Sequence, residues 1–345
     1  MHLALLLMAQ VVAGTPEAPR RQPQLAAGPG IVAMTYGSGN SVLFVRSTDA
    51  GQTLSDPVLV SDPVQLSLGM HRGPRIVIAG DAIVIAAVAG TKGGGSDGDL
   101  LAWRSLDGGR TWSGAKRLND LEGSAREGLH GLASDGQGLI FAVWLDLRAT
   151  GTRLYGALSR DGGATWSANQ LVYESPSGSV CQCCHPTALV RDGRIYVMFR
   201  NVVDGARDMY RVRSDDLGKT FQKAEKLGTG TWPLEGCPMD GGSLASQGDG
   251  GVVSVWRREG QVFLEGDKGT EKLLGTGQAP VVATGRRGLY AAWTSGKSVM
   301  VLEPGKATAA VVDEDGASPQ LVAMPSGEVM AAWERHGSIV LRELP

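Results

Sequence analysis

The sequence has no dense run of lysine and arginine, and its charges almost cancel: 33 basic and 35 acidic residues give a formal net charge of −2. A protein that follows a nucleic-acid backbone needs a basic stripe to neutralise phosphates. We therefore expect no nucleic-acid partner. Cysteine and histidine are also scarce, with four and five copies, so a cluster of them within a few positions is a specific signal.

The sequence also lacks an apolar run long enough to span a bilayer. The longest, Leu3 to Ala13 (LALLLMAQVVA), is too short for a membrane helix. Small residues follow it, which is typical of a secretory signal with cleavage near Ala13. We expect residues 1–19 to be a signal peptide and residues 20–345 to form one exported domain, periplasmic or extracellular. A buried N-terminal strand is the alternative.

Glycine, by contrast, is abundant. The chain has 50 glycines in 345 residues, about twice the usual share, without a collagen period. Many stand in dipeptides between short Val, Ile and Leu runs, and no helical period or interdomain linker interrupts them. This pattern predicts a single all-β domain with many tight turns.

Four segments share the pattern Ser-x-Asp-x-Gly-x-Thr followed by an aromatic residue or leucine. Their first residues are 58, 54 and 55 positions apart, the length of one four-stranded propeller blade. In such a turn Asp and Ser bond the backbone, Gly takes a positive φ and the aromatic packs against the sheet. Their aspartates are therefore predicted to be structural: Asp49 (STDAGQTL), Asp107 (SLDGGRTW), Asp161 (SRDGGATW) and Asp216 (SDDLGKTF).

The four segments resemble the Asp-box (BNR) repeat of the sialidase-like β-propellers. Each is preceded by further strands, and this periodicity continues to the end of the chain. Inner strands are expected to begin near Pro23, Gly73, His130, His185, Gly242, Ala279 and Ser318. The resemblance implies a ring of four-stranded antiparallel blades. The sialidase fold has six, whereas the units counted here favour seven, with six as the alternative.

The reactive residues are predicted to lie at one end of this ring. An antiparallel blade alternates ends at every turn, so the loops that enter the inner strands share one face with the loops between second and third strands. We call this face the top. Three histidines and all four cysteines stand just before inner strands: His71 (GMHRGP), His130 (REGLHG), Cys181, Cys183, Cys184 and His185 (CQCCHP), and Cys237 (EGCPMD).

This set predicts a transition-metal site, because thiolates and imidazoles are the ligands that Cu(I) or Zn prefers. We expect one copper or zinc ion held by these cysteines and His185, with His71 and His130 contributing, and no nucleotide cofactor. Two structural disulfides are the alternative, since an exported chain meets an oxidising compartment. Cys184 with Cys237 would join adjacent loops, whereas neighbouring Cys183 and Cys184 could bond each other only with strain. Redox chemistry is the third alternative.

The resemblance also implies a catalytic site. A sialidase uses an arginine triad for the substrate carboxylate, a Tyr/Glu pair as nucleophile and an aspartate as acid/base. Arg72 matches the family's x-R-x-P motif at an inner strand, Arg126, Arg148 and Arg200 lie in or beside top loops, and Asp146 is a candidate acid. These residues predict that the ligand is a glycan or another small anion. We also expect no membrane span, and we expect a monomer. A top face that only binds a glycan or a protein is the non-catalytic alternative.

Overall fold

The computed structural model of the chain describes residues 9–62, 65–92, 97–125, 128–248, 250–266 and 269–345. These residues contain 29 β-strands, which form seven antiparallel sheets. Among them, no helix is long and apolar enough to cross a bilayer.

Each sheet is one blade of a ring, and in blades 1 to 6 the four blade strands follow one another in sequence from the inner to the outer edge. Blade 1 holds β2(Arg21–Gly28), β3(Ile31–Ser38), β4(Ser41–Ser47) and β5(Val58–Ser61); blade 2 holds β7(Arg75–Ala79), β8(Ala82–Gly90), β9(Asp99–Ser105) and β10(Lys116–Arg117), with β6(Gln65–Leu66) on the end of β8; blade 3 holds β11(His130–Ser134), β12(Ile140–Asp146), β13(Arg153–Ser159) and β14(Gln170–Tyr173). Blade 4 holds β15(Thr187–Arg191), β16(Arg194–Arg200), β17(Met209–Ser214) and β18(Glu225–Lys226); blade 5 holds β19(Gly242–Ser246), β20(Val252–Arg258), β21(Gln261–Glu265) and β22(Glu271–Thr276); blade 6 holds β23(Gln278–Gly285), β24(Gly288–Ser295), β25(Ser298–Leu302) and β26(Ala310–Asp313).

The two ends of the chain share the last blade. Blade 7 holds β27(Ala317–Ala323), β28(Val329–Arg335), β29(Ser338–Leu344) and, at its outer edge, β1(Gln10–Val12). β1 runs antiparallel to β29, with Val11 opposite Val340. Cleavage near Ala13 would remove β1 from this blade. The signal peptide stays a prediction, and residues 1–8 lie outside the described residues.

The all-β propeller predicted from the repeats is confirmed, and the count is seven blades rather than six. The seven inner strands begin within two residues of the predicted positions, at residues 21, 75, 130, 187, 242, 278 and 317. Sequence reasoning succeeded here because each blade repeats the same alternation of short apolar strands and turns.

The Asp-box turns join the third and fourth strands of blades 1 to 4. In blade 3, Asp161 accepts hydrogen bonds from the Ser159 hydroxyl (2.9 Å) and from the backbone N–H (2.8 Å) and hydroxyl (2.6 Å) of Thr165. The Thr165 hydroxyl is the main cause that lowers the pKa of Asp161 to about 2. Asp49, Asp107 and Asp216 accept the same three hydrogen bonds.

Each Asp-box turn also contacts the preceding blade. The Trp112 ring lies 5.3 Å from the Phe44 ring of blade 1. Gly109 adopts a φ of +86°, and a Cβ atom there would come within 2.1 Å of the Phe44 ring. Only glycine satisfies both demands, so the turn fixes how two blades pack.

The hydrophobic core lies between neighbouring blades. Trp144 of β12, for example, is fully buried in a cluster with Val84 and Val88 of blade 2. Equivalent tryptophans stand in the second strands of blades 5, 6 and 7: Trp256, Trp293 and Trp333. Every blade therefore buries its faces against both neighbours, which leaves the inner strand edges to line a central channel.

Candidate functional site

The top of the central channel opens into two adjoining cavities, each of about 220 Å³. Both are lined by Gln22, His71 and Ala279, so they form one site, the channel mouth. The first cavity reaches all seven inner strands through Gln24, Arg75, Leu132, Ala188, Leu244, Val282 and Leu321.

The backbone around the channel mouth is strained. Six lining residues that are not glycine have a positive φ, between +51° and +66°: Gln22, Met70, His71, Met239, Ala279 and Ser318. At three of them the next residue is proline and the inner strand bulges out of register with its neighbour. Such conformations cost on the order of 1–3 kcal/mol each and cluster at functional sites.

Arg75 supplies a positive charge in the wall of this site. It is buried at the start of β7 and lines the first cavity. Its guanidinium donates hydrogen bonds to the carbonyl oxygens of His71 (2.5 Å), Gly73 (3.3 Å) and Pro74 (3.3 Å). It forms no ion pair with a described carboxylate, and burial alone lowers the pKa of Arg75 to about 10. The group is therefore charged at neutral pH and has no countercharge within the described part of the chain.

Two stacked imidazoles stand beside Arg75. The rings of His71 and His185 lie 4.9 Å apart at an interplanar angle of 29°. Burial is the main cause that lowers the pKa of both, and Asp240 partly opposes it at His71. Both rings are therefore neutral at pH 7 and can accept a proton. The buried Nδ1 atom of His185 has no hydrogen-bond partner in the protein.

Asp240 is the carboxylate of the second cavity. Its Oδ2 atom accepts a hydrogen bond from the Ala279 N–H (3.0 Å) and lies 3.3 Å from Nε of Arg257. Its Oδ1 atom is buried without a hydrogen-bond partner in the protein. The channel mouth thus combines a cation, two neutral imidazoles and a carboxylate, and His185 and Asp240 each keep a buried atom without a protein partner.

The structure places the third predicted histidine differently. His130 is fully buried, and its Nε2 atom lies 3.1 Å from the carbonyl oxygen of Ala86 in the neighbouring blade. Burial lowers the pKa of His130 to about 3. Its ring does not line the channel mouth, so it packs two blades together.

The arginines predicted for catalysis are mostly engaged elsewhere. The buried guanidinium of Arg200 donates to the carbonyl oxygens of Arg207 (2.7 Å), Arg257 (2.9 Å) and Asp240 (3.2 Å). It also lies 5.2 Å from the Trp232 ring centroid. Its donors bind backbone between blades 4 and 5 and do not face the channel mouth.

Asp146 and Arg148 bind each other. Asp146 is buried and accepts hydrogen bonds from the Trp144 indole (2.8 Å) and from Nε (2.8 Å) and Nη2 (3.0 Å) of Arg148. Arg148 also reaches Asp120 at 2.9 Å. The arrangement is a structural ion pair. Arg72 packs against Gly128 of blade 3, and Arg126 lies outside the described residues.

The four cysteines form a second site next to the channel mouth, the sulfur cluster. Cys183 and Cys237 are joined by a disulfide, so Cys183 and not Cys184 is the partner of Cys237. Cys181 and Cys184 are free and buried, with their Sγ atoms 3.2 Å apart. The Sγ atom of Cys181 lies 3.6 Å from that of Cys183. In this form Cys183 and Cys237 cannot act as the thiolate ligands that the sequence predicts.

The free thiols differ in their acidity. The hydrogen bond between the sulfur atoms of Cys181 and Cys184 is the main cause that lowers the pKa of Cys181 to about 6. The guanidiniums of Arg207 and Arg200 act in the same direction, and Nη1 of Arg207 lies 3.3 Å from the Cys181 sulfur. Burial raises the pKa of Cys184. Cys181 is therefore the thiolate of the pair.

The predicted histidine ligands do not join these sulfurs. Among the residues that the structure describes, Cys181, Cys183 and Cys184 are the one group of three or more possible ligands whose donor atoms converge within 4.8 Å. The chain turns at residues 182–184, which gathers the sulfurs, and then enters the channel at His185. Sequence proximity therefore suggested one site where the structure has two.

Sequence reasoning missed Arg75 and Asp240. Arg75 follows the x-R-x-P match at Arg72 by three residues and is the first residue of an inner strand. Asp240 precedes β19 by two residues. The same loop-parity argument that placed the histidines at the top could have found both, because each lies at the entry to an inner strand.

Comparison with known proteins agrees with this architecture. Residues 71–231 match a family model described as BNR repeat-like domain. No curated protein matches the chain significantly.

Three solved structures illustrate the range of similar folds. An ulvan lyase is 12% identical, with 96% of this chain and 95% of that chain covered and a TM-score of 0.59. Virginiamycin B lyase from Staphylococcus aureus, solved as a catalytically inactive histidine-to-alanine variant with quinupristin, is 11% identical, with 98% and 100% covered and a TM-score of 0.58. A Hadza microbial sialidase is 14% identical, with 90% and 76% covered and a TM-score of 0.54.

At these identities the likeness shows the fold alone, since one fold hosts many activities. The four Asp-box turns and the seven-bladed ring show that the chain is a β-propeller with Asp-box turns, of which residues 71–231 match the BNR repeat-like domain.

Proposed function

We propose that the channel mouth binds the carboxylate of an acidic sugar. The observation that carries this proposal is the buried guanidinium of Arg75, which lines the cavity without a countercharge among the residues that the structure describes. Buried charges in proteins are paired, because an isolated one loses its hydration without compensation. A carboxylate accepts bidentate hydrogen bonds from a guanidinium and would supply the missing charge.

The unpaired atoms around Arg75 support a sugar as the carrier of that carboxylate. His185 Nδ1 and Asp240 Oδ1 are buried without protein partners, and leaving such atoms unsatisfied costs about 1–3 kcal/mol each. Sugar hydroxyls both donate and accept hydrogen bonds, so they suit both atoms. The ulvan lyase of similar fold has been solved bound to a ligand that contains GlcA.

The size of the channel mouth limits the ligand. Each cavity holds about 220 Å³, below the roughly 300–1,000 Å³ of pockets for drug-sized ligands. The site therefore suits one or two sugar units inside the mouth, with any further chain outside it. Asp240 is the one carboxylate among the described residues that line the two cavities, and the mechanism of most glycosidases uses a pair of carboxylates.

The test is a calorimetric titration of the purified chain with glucuronate, galacturonate and N-acetylneuraminate, each compared with neutral glucose. We expect at least one acidic sugar to bind and glucose to give no measurable heat. Equal binding of acidic and neutral sugars would remove the charge of Arg75 from recognition. No binding of any acidic sugar would overturn the proposal.

The sulfur cluster supports a second function, the binding of copper or zinc. Three sulfurs converge within 4.8 Å, and sulfur ligands favour Cu(I) and Zn over magnesium or calcium. Cys181 and Cys184 are the ligands available while Cys183 and Cys237 are bonded. Reduction of that disulfide adds two thiols at the same place, which makes the four-sulfur set of a structural zinc site.

We therefore predict that metal content depends on the redox state of the protein. Elemental mass spectrometry should find close to one copper or zinc ion per chain after reduction and loading, and clearly less in the disulfide form. The Cys184→Ser variant should lose most of this metal, because it removes a ligand of both forms. His336→Ala, at an exposed loop, is the control. Equal metal content in the Cys184→Ser variant and the parent would refute the site.

A further inference from the structure

We propose that the four cysteines form a thiol–disulfide relay, in which the buried thiols of Cys181 and Cys184 reduce a small external disulfide through the Cys183–Cys237 bond. The arrangement has a buried dithiol, Cys181 and Cys184, beside a disulfide that joins the buried Cys183 to Cys237, an exposed residue. Cys181, Cys183 and Cys184 are buried, whereas Cys237 is an exposed residue. An outside molecule can therefore meet the cluster at Cys237.

The sulfur positions allow each internal exchange. Thiol–disulfide exchange proceeds by attack of a thiolate on one sulfur of a disulfide. The sulfur of Cys181 lies 3.6 Å from the bonded sulfur of Cys183 and 3.2 Å from that of Cys184. The sulfur of Cys181 is thus in contact distance of the disulfide, and the sulfur of Cys184 is in contact distance of Cys181.

The surroundings hold Cys181 in place for this attack. Its N–H donates to the carbonyl oxygen of Arg200 (3.0 Å), which ties the loop to the end of β16. Nη1 of Arg207 lies 3.3 Å from its sulfur, and Nε of the same guanidinium donates to the carbonyl oxygen of Leu234 (3.1 Å). Arg207 therefore connects the attacking sulfur with the segment that carries Cys237.

The internal exchange conserves electrons. The Cys181 thiolate attacks the Cys183 sulfur, the bond from Cys183 to Cys237 breaks, and Cys237 leaves with the electron pair as a thiolate. The Cys184 thiolate then attacks the Cys181 sulfur, and Cys183 leaves. The disulfide has moved to Cys181 and Cys184, and the two protons that these thiols lost go to Cys183 and Cys237.

The external disulfide enters at Cys237. Its thiolate attacks one sulfur of the external disulfide, which releases the first external thiol and leaves a mixed disulfide on Cys237. The Cys183 thiolate attacks the Cys237 sulfur, which restores their bond and releases the second external thiol. In sum, one buried dithiol is oxidised to a disulfide and one external disulfide is reduced to two thiols.

Mass spectrometry distinguishes the two positions of the disulfide. Trypsin places Cys181, Cys183 and Cys184 in the peptide 161–191 and Cys237 in the peptide 227–257. In the starting form these peptides are linked, and a thiol-blocking reagent marks Cys181 and Cys184. After the internal exchange they are separate, with the mark on Cys183 and Cys237.

The experiment uses the full chain with a chelator present, so that bound metal plays no part. Protein that carries the Cys183–Cys237 bond and a free dithiol is mixed with oxidised glutathione, and released glutathione is measured. We expect two molecules per chain, together with a bond between Cys181 and Cys184. Cys181→Ser should slow the release about tenfold or more while its two peptides stay linked. In the Cys184→Ser variant the exchange should stop after its first step. Cys181 and Cys183 are then joined by a disulfide, and Cys237 is free or bound to glutathione.

Circular dichroism and thermal melting show whether each variant is folded, and the parent chain remains a test that needs no variant. Release from Cys181→Ser at the rate of the parent would overturn the relay. The relay would also be overturned if no exchange occurred at any concentration of oxidised glutathione. In that case peptides 161–191 and 227–257 stay linked, and the thiols of Cys181 and Cys184 stay free.

Discussion

Replacing Arg75 with glutamine should weaken the binding of an acidic sugar about 30-fold at neutral pH, a loss of about 2 kcal/mol. A hydrogen bond to a charged group contributes about 1.5–3 kcal/mol, and about 1.4 kcal/mol corresponds to each factor of ten. His71 and His185 cannot replace the lost charge, because burial lowers the pKa of both and leaves them neutral. The measurement is a calorimetric titration at pH 7.

Arg286→Gln is the matched control, since it makes the same substitution at the opposite end of the ring. Arg286 lies in the turn between β23 and β24, where its exposed side chain pairs with Glu328. Its variant should bind the acidic sugar like the parent. A similar loss in both variants would mean that net charge and not the local cation attracts the ligand. Unchanged binding in Arg75→Gln would show that the carboxylate lies elsewhere.

The fold could be predicted from the sequence because it depends on local patterns that recur. The Asp-box turns need particular residues at fixed spacing, and each strand is short enough to be recognised between turns. The late blades carry no clear Asp box, yet segments such as Leu289 to Trp293 and Val329 to Trp333 repeat the second strand and gave the count of seven. The position of β1 could not be predicted from these local patterns, because its pairing with β29 joins segments that are more than 300 residues apart.

The candidate site could be predicted only to the level of a face. Loop parity places His71, His185 and the cysteines at the top, and the structure puts them there. Which side chains then meet depends on distances of a few ångströms, set by turns and bulges that the pattern does not encode. Cys183 and Cys184 are neighbours in sequence, and only the turn at residues 182–184 decides which sulfur reaches Cys237.

The arginines illustrate a second limit. Arg148 and Arg200 are predicted to lie near the top of blades, whereas Arg75 was missed, because sequence alone does not tell a cation with internal partners from one without. Arg148 meets two carboxylates and Arg200 meets three carbonyl oxygens. Arg75 has no carboxylate partner among the residues with a described position. The absence of a described countercharge distinguishes Arg75 from the other two arginines, and only the packed structure reveals it.

Replacing Asp146 with alanine should lower the free energy of unfolding by about 3 kcal/mol and leave the binding of an acidic sugar unchanged. Asp146 is buried where β12 ends and accepts hydrogen bonds from Trp144 and Arg148. Removing one partner of a buried ion pair costs about 3–5 kcal/mol, because the other charge is left uncompensated. Part of that cost is offset here, since Arg148 keeps Asp120 at 2.9 Å. Denaturant unfolding followed by tryptophan fluorescence measures the change.

Asp120→Ala is the control, because it removes the other carboxylate that Arg148 contacts. The Asp120 side chain is 50% exposed, and an exposed ion pair contributes about 1 kcal/mol or less. Both variants remove one carboxylate from the same arginine. The difference between their free energies of unfolding therefore reports the effect of burying the carboxylate and not the loss of one charge. If Asp146 instead served as the catalytic acid that the sialidase resemblance implies, its variant would keep its stability and lose turnover. Loss of stability with intact binding would assign Asp146 to the packing of blades 2 and 3 and would leave Asp240 as the carboxylate of the channel mouth.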